Sequence, residues 1–479
     1  MIVVGGGLAG AAAAVVLAER GVAVELHERE PVLGGRLSSW TDFVGGSNAP
    51  AMSMERGFHA FFRQYYNVRA LLRRIDPDLR LLRPIPDYPL LGPHGRRESF
   101  AGLPRRPLFN LAALVWRTPT LGWRDLREMD GKVASEMLAF DGDRTFERFD
   151  AMSAATFLDR VRFPTEARRM LFEVFAHSFF NPEDAMSAAE MLMMFHLYFL
   201  GTGEGILFDV LDEPFDDAVW KPMRRLLDRL DVVVRTDSPI EAVDRSGADG
   251  VVLALPVSAL QSVVTASAWI GTPSWREDVA ALQPAPPFVV WRLWLDRPVS
   301  AERAPFAGTA GLGIIDNISV VDRYQGEARR WALRTGGSVV ELHAYALPSA
   351  YEDDAARVRR ELLQSLHDQY PETAAATVVD ERLLWRNDCP GFAPGSWARR
   401  PVVSVPSASR SSPRPDPVVA LAGDLVRLPF PTALMERAVA SGFLAANHLL
   451  QAWGVRPEPV WSIPTRGVLT QLRGLGRRG

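Results

Sequence analysis

The apolar and polar positions along the chain mark out a small set of elements. Met1–Val4 is a short apolar run, Ala11–Ala18 is dense in helix formers, and Val22, Val24 and Leu26 alternate at strand period. This order predicts strand, turn, helix, strand: a βαβ opening of about thirty residues. From about Asn67 to Asp228 the pattern is mainly helical, with proline-rich interruptions over 84–93 and 104–107. Strand patterning returns between Asp231 and Leu255. Phe288–Leu295 and Ser338–Leu347 read as strands of a separate sheet, followed by a helix over Asp354–Gln369. A polar, proline-rich stretch, Ser404–Pro417, precedes a further strand at Val418–Ala422 and a helix over Leu434–Trp453. One α/β domain is therefore expected from three separated stretches, 1–66, 229–262 and 415–455. A mainly helical region (67–228), a region of sheet and helices (263–414) and a C-terminal tail (456–479) make up the rest.

The first turn carries chemistry. Gly5-Gly6-Gly7-Leu8-Ala9-Gly10 fits G-x-G-x-x-G between a strand and a helix. Gly5 permits the tight turn, Gly7 lets backbone approach a pyrophosphate, and Gly10 lets the helix pack on the sheet. The helix N-terminus attracts the phosphate charge. Glu28, at the end of the second strand, stands where an acid accepts hydrogen bonds from a ribose diol. Leu33-Gly34-Gly35-Arg36 follows directly; its glycines allow close backbone approach, and Arg36 can bond a diphosphate. That second glycine pair favours a flavin over a nicotinamide dinucleotide. Near the far end, Gly423-Asp424 lies between a strand and the helix holding Met435-Glu436-Arg437-Ala438. Asp424 can bind a ribityl hydroxyl or simply cap the helix, whose N-terminus would stabilise an anionic reduced flavin ring. Asp231–Ile240 reads as the third strand of the same domain, with Ile240 against the adenine.

Composition narrows the class. The 479 residues are 47% hydrophobic and 23% charged, which suits a large folded core and excludes disordered or disulfide-scaffold classes. A formal charge of −3 provides no field for nucleic acid. The single cysteine, Cys389, forms no intrachain disulfide, and no metal-ligand spacing stands out, so no metal is expected. Met1–Ala18 is uncharged but lacks a basic leader, which argues against a signal peptide. The run Met191–Gly203 is thirteen residues long, short of the ~20 needed to span a bilayer. Between Leu103 and Leu126, Arg105, Arg106, Arg117 and Arg124 alternate with Leu108, Phe109, Leu111, Leu114, Val115, Trp116 and Trp123. This suits either a segment in the lipid interface or a docked helix with a solvated arginine face.

With these residues in place, Gly5–Arg36 and Gly423-Asp424 resemble the flavin-binding domain shared by amine oxidases, phytoene desaturases and protoporphyrinogen oxidases. Within that group, Glu55–Asn67, Pro390–Ser396 and Gly423–Pro431 resemble the isorenieratene synthase branch, the carotenoid β-ring desaturase/methyltransferases. The resemblance covers most of the chain. It implies a Rossmann-like FAD-binding domain of the glutathione-reductase type, with an inserted substrate domain of mixed sheet and a helical, membrane-facing part. Members of the family carry more residues before the first strand than this chain does.

The resemblance further implies FAD as cofactor, a lipophilic carotenoid of the β-carotene class as substrate, and an electron acceptor that reoxidises the flavin. The reaction implied makes a β-ionone ring aromatic, one geminal methyl moving to the neighbouring carbon. The setting implied is cytoplasmic, peripheral to the inner face of the membrane. A pocket for this chemistry should be apolar and aromatic. Phe58, Phe61, Phe62, Tyr65 and Tyr66 are the expected lining, while Phe172, Phe175, Phe179, Phe180 and Met191, Met193, Met194, Phe195, Phe199 form further apolar stripes or plain core. His59 either positions the ring or takes up the released proton, or else is a hydrogen-bonded structural histidine; His177 and His196 are weaker candidates, and His27, beside Glu28, reads as structural. An amine oxidase would be expected to keep a lysine-linked water, yet Lys132 and Lys221 are the only lysines and neither lies in a matching segment. An acyclic polyene desaturase and a non-catalytic flavin- and carotenoid-binding protein are the remaining alternatives.

Overall fold

The computed structural model describes residues 1–45, 51–99, 102, 104, 106, 109–118, 122–245, 247–352, 354–407 and 416–475. Five strands drawn from three stretches of chain form one parallel sheet. They are β1 (Ile2–Val4), β2 (Glu25–His27), β10 (Val233–Arg235), β11 (Gly250–Leu253) and β17 (Val418–Leu421), in the order β10-β2-β1-β11-β17. This is the dinucleotide-binding α/β arrangement that the glycine motif predicts. The first helix, Leu8–Ala18, is buried along its whole length. Its alanines and Gly10 let it lie between the sheet and the long helix Leu434–Gln451. A Cβ on Gly442 would fall 2.3 Å from the Ala9 carbonyl oxygen, so glycine is what permits that crossing.

A second, mixed sheet of seven strands stands beside it. It runs β16 (Val378–Arg386), β12 (Phe288–Leu295), β15 (Ser338–Ala344), β14 (Asn317–Val320), β13 (Phe306–Thr309), β7 (Pro89–Leu91) and β8 (Arg97–Ser99). Only the β13–β7 pair is parallel. One face packs on the helix Ala355–Gln369 through Val340, Leu342, Ala344, Val358 and Leu362. The other turns toward the first domain. Between them lie a hairpin of β3 (Ser39–Phe43) and β4 (Ala51–Glu55), and a small sheet of β5 (Phe61–Phe62), β9 (Phe208–Leu211) and β6 (Leu82–Pro84).

Residues 67–228, expected to be mainly helical, therefore also contain β6–β9. β7 and β8 complete the sheet whose other strands follow residue 288. The first proline-rich interruption of the helical pattern holds the end of β6 (Pro84) and the start of β7 (Pro89), since proline removes a helix donor but is tolerated on an edge strand or as the first residue of a strand. The stripes Phe172, Phe179, Met191, Met193, Met194, Phe195 and Phe199 are buried in the main core; the Phe175 side chain lies outside the described residues. No helix among the described residues is long and apolar enough to cross a membrane.

Candidate active site

Three backbone turns converge at the carboxyl ends of the parallel strands. Gly5 has φ +105°, and its would-be Cβ falls 2.3 Å from the Ala254 carbonyl oxygen; one on Gly10 would fall 1.9 Å from the Gly5 oxygen. Both positions therefore require glycine. Gly7 is different: a Cβ there meets only the Gly34 oxygen at 3.7 Å and Gly35 Cα at 3.9 Å. Its glycine is not needed for packing, which leaves close approach to a ligand as the reason for it. Gly34 (φ +129°) and Gly35 (φ +55°) lie against it, joined by a Gly34 N–H donating to the Gly6 oxygen at 3.0 Å. Leu8 and Ala9 open the helix, where main-chain N–H groups have no intrahelical acceptor.

Glu28 is buried at the end of β2. Its Oε2 accepts the Gly6 N–H at 2.7 Å and its Oε1 the Glu30 N–H at 3.0 Å, which fixes the carboxylate and leaves lone pairs for a diol. Ile240 follows β10 and packs, half-buried, on the core around β11. Arg36 donates to Asp424 through two bonds, Nη1 to Oδ2 at 2.8 Å and Nη2 to Oδ1 at 2.6 Å. Burial works against that guanidinium, yet the Asp424 carboxylate holds it charged well above its ordinary range. Gly423 (φ +130°) is anchored by its N–H to Ser441 Oγ at 2.8 Å. Met435 stands half-buried in the first turn of Leu434–Gln451.

These groups fit a flavin dinucleotide. A glycine cradle kept free of Cβ at Gly7, helix N–H donors, a fixed carboxylate at Glu28 and a charged Arg36–Asp424 pair supply the donor set for diphosphate and polyol.

The helix Leu434–Gln451 is tied to its surroundings by buried carboxyl and guanidinium groups that the sequence pattern does not single out. Glu436 accepts the Asn67 N–H at 2.9 Å, Asn67 Nδ2–H at 2.6 Å and the Val68 N–H at 3.0 Å, and so caps the helix Tyr66–Leu72. Burial pushes its pKa up to about 7. Arg437 and Arg400 share Glu190, at 2.5 and 3.0 Å, which binds the helix Ala188–Phe195 to the flavin side.

The predicted aromatic residues divide. Phe58 stacks on Phe306 with ring centres 4.4 Å apart and meets Phe208 edge-on at 5.8 Å. Phe62 contacts Tyr65, Tyr198 and Phe208. Phe61 and Tyr65 are fully buried, Tyr65 sharing a 2.5 Å hydrogen bond with Tyr198. Tyr66 is exposed at the start of its helix, apart from this cluster. A groove of about 1050 Å³ is bounded by Trp397, Leu428, Leu444 and His448, and none of the five predicted pocket residues lines it.

His59 is edge-on to Phe215 and its Nδ1 lies 2.8 Å from the Gly57 oxygen. A carbonyl only accepts, so Nδ1 carries the proton and Nε2 is the basic nitrogen. Burial lowers its pKa to about 4, with His343 and Arg36 adding to that effect. His177 bonds Asp316 at 2.8 Å; His196 bonds the Pro464 oxygen and stacks on Phe140; His27 bonds Ser238.

Together the cradle, the acid and the Arg36–Asp424 pair define an FAD-dependent oxidoreductase. A family model described as flavin containing amine oxidoreductase matches residues 8–450, and the chain belongs to that family. Its resemblance to isorenieratene synthases holds over nearly its full length. The chain is 51% identical to carotenoid phi-ring synthase from Streptomyces griseus, over 99% of this chain and 92% of that protein. It is 26% identical to the carotenoid phi-ring synthase of Chlorobaculum tepidum, over 98% and 91%. Among solved structures, wild-type putrescine oxidase bound to putrescine has a TM-score of 0.67 at 15% identity, covering 94% of this chain and 98% of that one. Cyclohexylamine oxidase from Brevibacterium oxydans has a TM-score of 0.65 at 15% identity, over 95% and 99%. Those two likenesses speak for the fold alone.

Proposed function

We propose that this enzyme desaturates the β-ionone ring of a carotenoid, with intramolecular 1,2-methyl migration, to give an aromatic end group. The observation that carries this reading is the 51% identity to a carotenoid phi-ring synthase across nearly the whole chain. We assign residues 1–66, 229–262 and 415–455 to the flavin-binding domain and the intervening residues to substrate binding. Gly5, Gly7, Leu8, Ala9, Gly10, Gly34, Gly35 and Arg36 hold the diphosphate. Glu28 takes the ribose, Ile240 the adenine, and Gly423, Asp424 and Met435 the ribityl chain and ring edge. Bound flavin would supply the two hydride abstractions that aromatising one ring requires, the first from an allylic ring carbon, with reoxidation between them.

The protein's own task is to hold the ring in a dry, aromatic enclosure while positive charge migrates through it. Phe58 and Phe62 offer π faces to that charge, backed by Phe61 and Tyr65. His59, neutral because burial lowers its pKa to about 4, orients the ring without adding a charge. Phe109 and Trp116, seven residues apart and therefore on one side of the helix Phe109–Arg117, are 65% and 78% exposed. They suit peripheral contact with the lipid that holds the substrate; Leu103, Arg105 and Leu108 of that stretch lie outside the described residues. An external acceptor reoxidises the flavin.

Expression in a β-carotene-producing host, with pigment analysis, tests the reading. Aromatic end groups support it. Unchanged β-carotene with oxidation of acyclic precursors would favour an acyclic desaturase, the second reading, which 25% identity to a 15-cis-phytoene desaturase from Synechococcus elongatus motivates.

A further inference from the structure

β15 is a buried strand with a polar face. Glu341, His343 and Tyr345 follow one another at alternate positions, so all three point to the side of the sheet that faces the flavin-binding domain. Glu341 Oε1 lies 2.7 Å from His343 Nε2, and His343 Nδ1 lies 2.6 Å from the Tyr345 hydroxyl. The proton positions follow from the chemistry of the partners. The Phe58 N–H also points at Nε2, from 3.4 Å, but the Glu341 contact is much shorter and its partner is a carboxylate that only accepts, so Nε2 carries its hydrogen toward Glu341. Nδ1 then accepts, and the Tyr345 O–H donates to it. Asn317 Nδ2 donates to the same hydroxyl at 3.0 Å, which leaves one lone pair on the Tyr345 oxygen. Tyr345 is half-buried, whereas His343 and Glu341 are 1% and 0% exposed.

Behind this row two buried carboxyl groups meet one guanidinium. Arg292, 2% exposed, donates to Glu341 Oε2 at 2.8 Å and to Glu55 Oε2 at 3.1 Å. Two buried carboxylates thus share one guanidinium. Gln325 donates to Glu55 at 2.6 Å but brings no charge. Burial pushes Glu341 up, yet Arg292 and His343 hold it down at about 2, so it stays ionised. A proton arriving on His343 would face the ionised Glu341 carboxylate, already bonded to Nε2. At His59 it would create a buried imidazolium with no carboxylate bonded to it, next to Arg36.

The row also lies next to the flavin motif. Tyr345 packs with Phe180, Phe288 and Cys389, and Cys389 Sγ lies 3.5 Å from the Arg36 guanidinium that grips Asp424.

We propose that Tyr345 accepts the proton released from the substrate ring after methyl migration, and that His343 and Glu341 position and receive it. This rests on the ring-aromatising reading above. In the step, a ring C–H bond breaks and its electron pair enters the ring. The proton bonds to the Tyr345 oxygen while the phenolic proton passes to His343 Nδ1, and the imidazolium formed faces Glu341. One proton moves and nothing is oxidised. The burial that keeps Tyr345 a phenol at rest suits it to pass a proton on without holding a charge. The reverse hop returns the proton through the half-buried hydroxyl after product leaves.

The test uses FAD-loaded protein with β-carotene in liposomes, and histidine ¹⁵N spectra of the flavin-free chain. Tyr345→Phe and His343→Gln should lower kcat for aromatic product at least about 100-fold, with KM and flavin content unchanged. The wild-type spectrum should show His343 as the Nε2–H tautomer, its Nδ1 shifted by an accepted hydrogen bond that Tyr345→Phe abolishes. Full kcat in Tyr345→Phe, or an Nδ1–H tautomer, overturns the relay and leaves the ring-aromatising reading standing. No aromatic product from the wild type overturns both. If Tyr345→Phe fails to retain FAD, His343→Gln and the wild-type spectrum decide the question alone.

Discussion

Arg36 and Asp424, 388 residues apart in sequence, meet through two parallel charge-assisted hydrogen bonds of 2.8 and 2.6 Å. This pair joins the second glycine turn to the turn before the helix Leu434–Gln451, so two distant segments of the chain form one surface beside the parallel sheet.

Asp424→Ala should leave the Arg36 guanidinium without its partner. The expected loss is roughly 2–3 kcal/mol, at the low edge for breaking a buried pair because Arg36 keeps 31% of its side chain exposed. A lowered Tm together with reduced FAD per chain checks this. Unchanged flavin content would remove Asp424 from the site.

The glycines separate folding from binding. Gly10→Ala must displace the backbone at Gly5 and should prevent the sheet from closing, giving little soluble protein. Gly7→Ala makes only ordinary contacts and should fold with a Tm near wild type while losing FAD affinity at least about tenfold, equal to ~1.4 kcal/mol. Titration of flavin-free protein with FAD measures the difference.

Glu436 makes stability depend on pH. Burial raises its folded-state pKa to about 7 from an ordinary 4.5, so the folded chain binds this proton more tightly than the unfolded chain. The stabilisation is fully present below the ordinary value and is lost as pH rises through 7. It amounts to about 3 kcal/mol at most. Glu436→Gln should flatten the fall in Tm between about pH 5 and about pH 8. An equal fall in both proteins would refute the assignment.

Phe109→Ala with Trp116→Ala should weaken sedimentation with phospholipid vesicles at least about thirtyfold, since burying each aromatic side chain in the interface contributes on the order of 1–2 kcal/mol. Thermal stability should stay unchanged, because both side chains are exposed. Equal sedimentation of the two proteins would place lipid contact elsewhere.

The flavin cradle was legible because its chemistry is local: glycines, an acid and a helix start at fixed spacing. Strand β12 was also legible, since a strand buried on both faces is a near-continuous apolar run, and Phe288–Leu295 is one broken only by Arg292. β7 and β8 were not, because the strand that ties β7 to the larger sheet, β13, lies some 200 residues further on and prolines mask the strand period. The polar row on β15 was missed for a related reason. Ser338–Leu347 reads as a strand, but Glu341 and His343 within it look like ordinary outward-facing positions until a second domain covers that face. Polar residues at period two inside an otherwise apolar strand were the available signal. Tyr66 shows the opposite error: its aromatic neighbours suggested a shared pocket, yet the helix it begins turns it to the surface.

The pairing of the helices Leu8–Ala18 and Leu434–Gln451 governs how the molecule is made on the ribosome. About 400 residues separate them, so at ~5–20 residues per second the nascent chain carries an alanine-rich, wholly apolar segment for roughly 20–80 s before its partner is synthesised. Until residue 418 emerges, β11 also lacks its outer neighbour β17, the edge strand of the parallel sheet. Chaperone holding of the emerging polypeptide, and failure of any product terminated before residue 434 to acquire colour, follow directly from this circular closure.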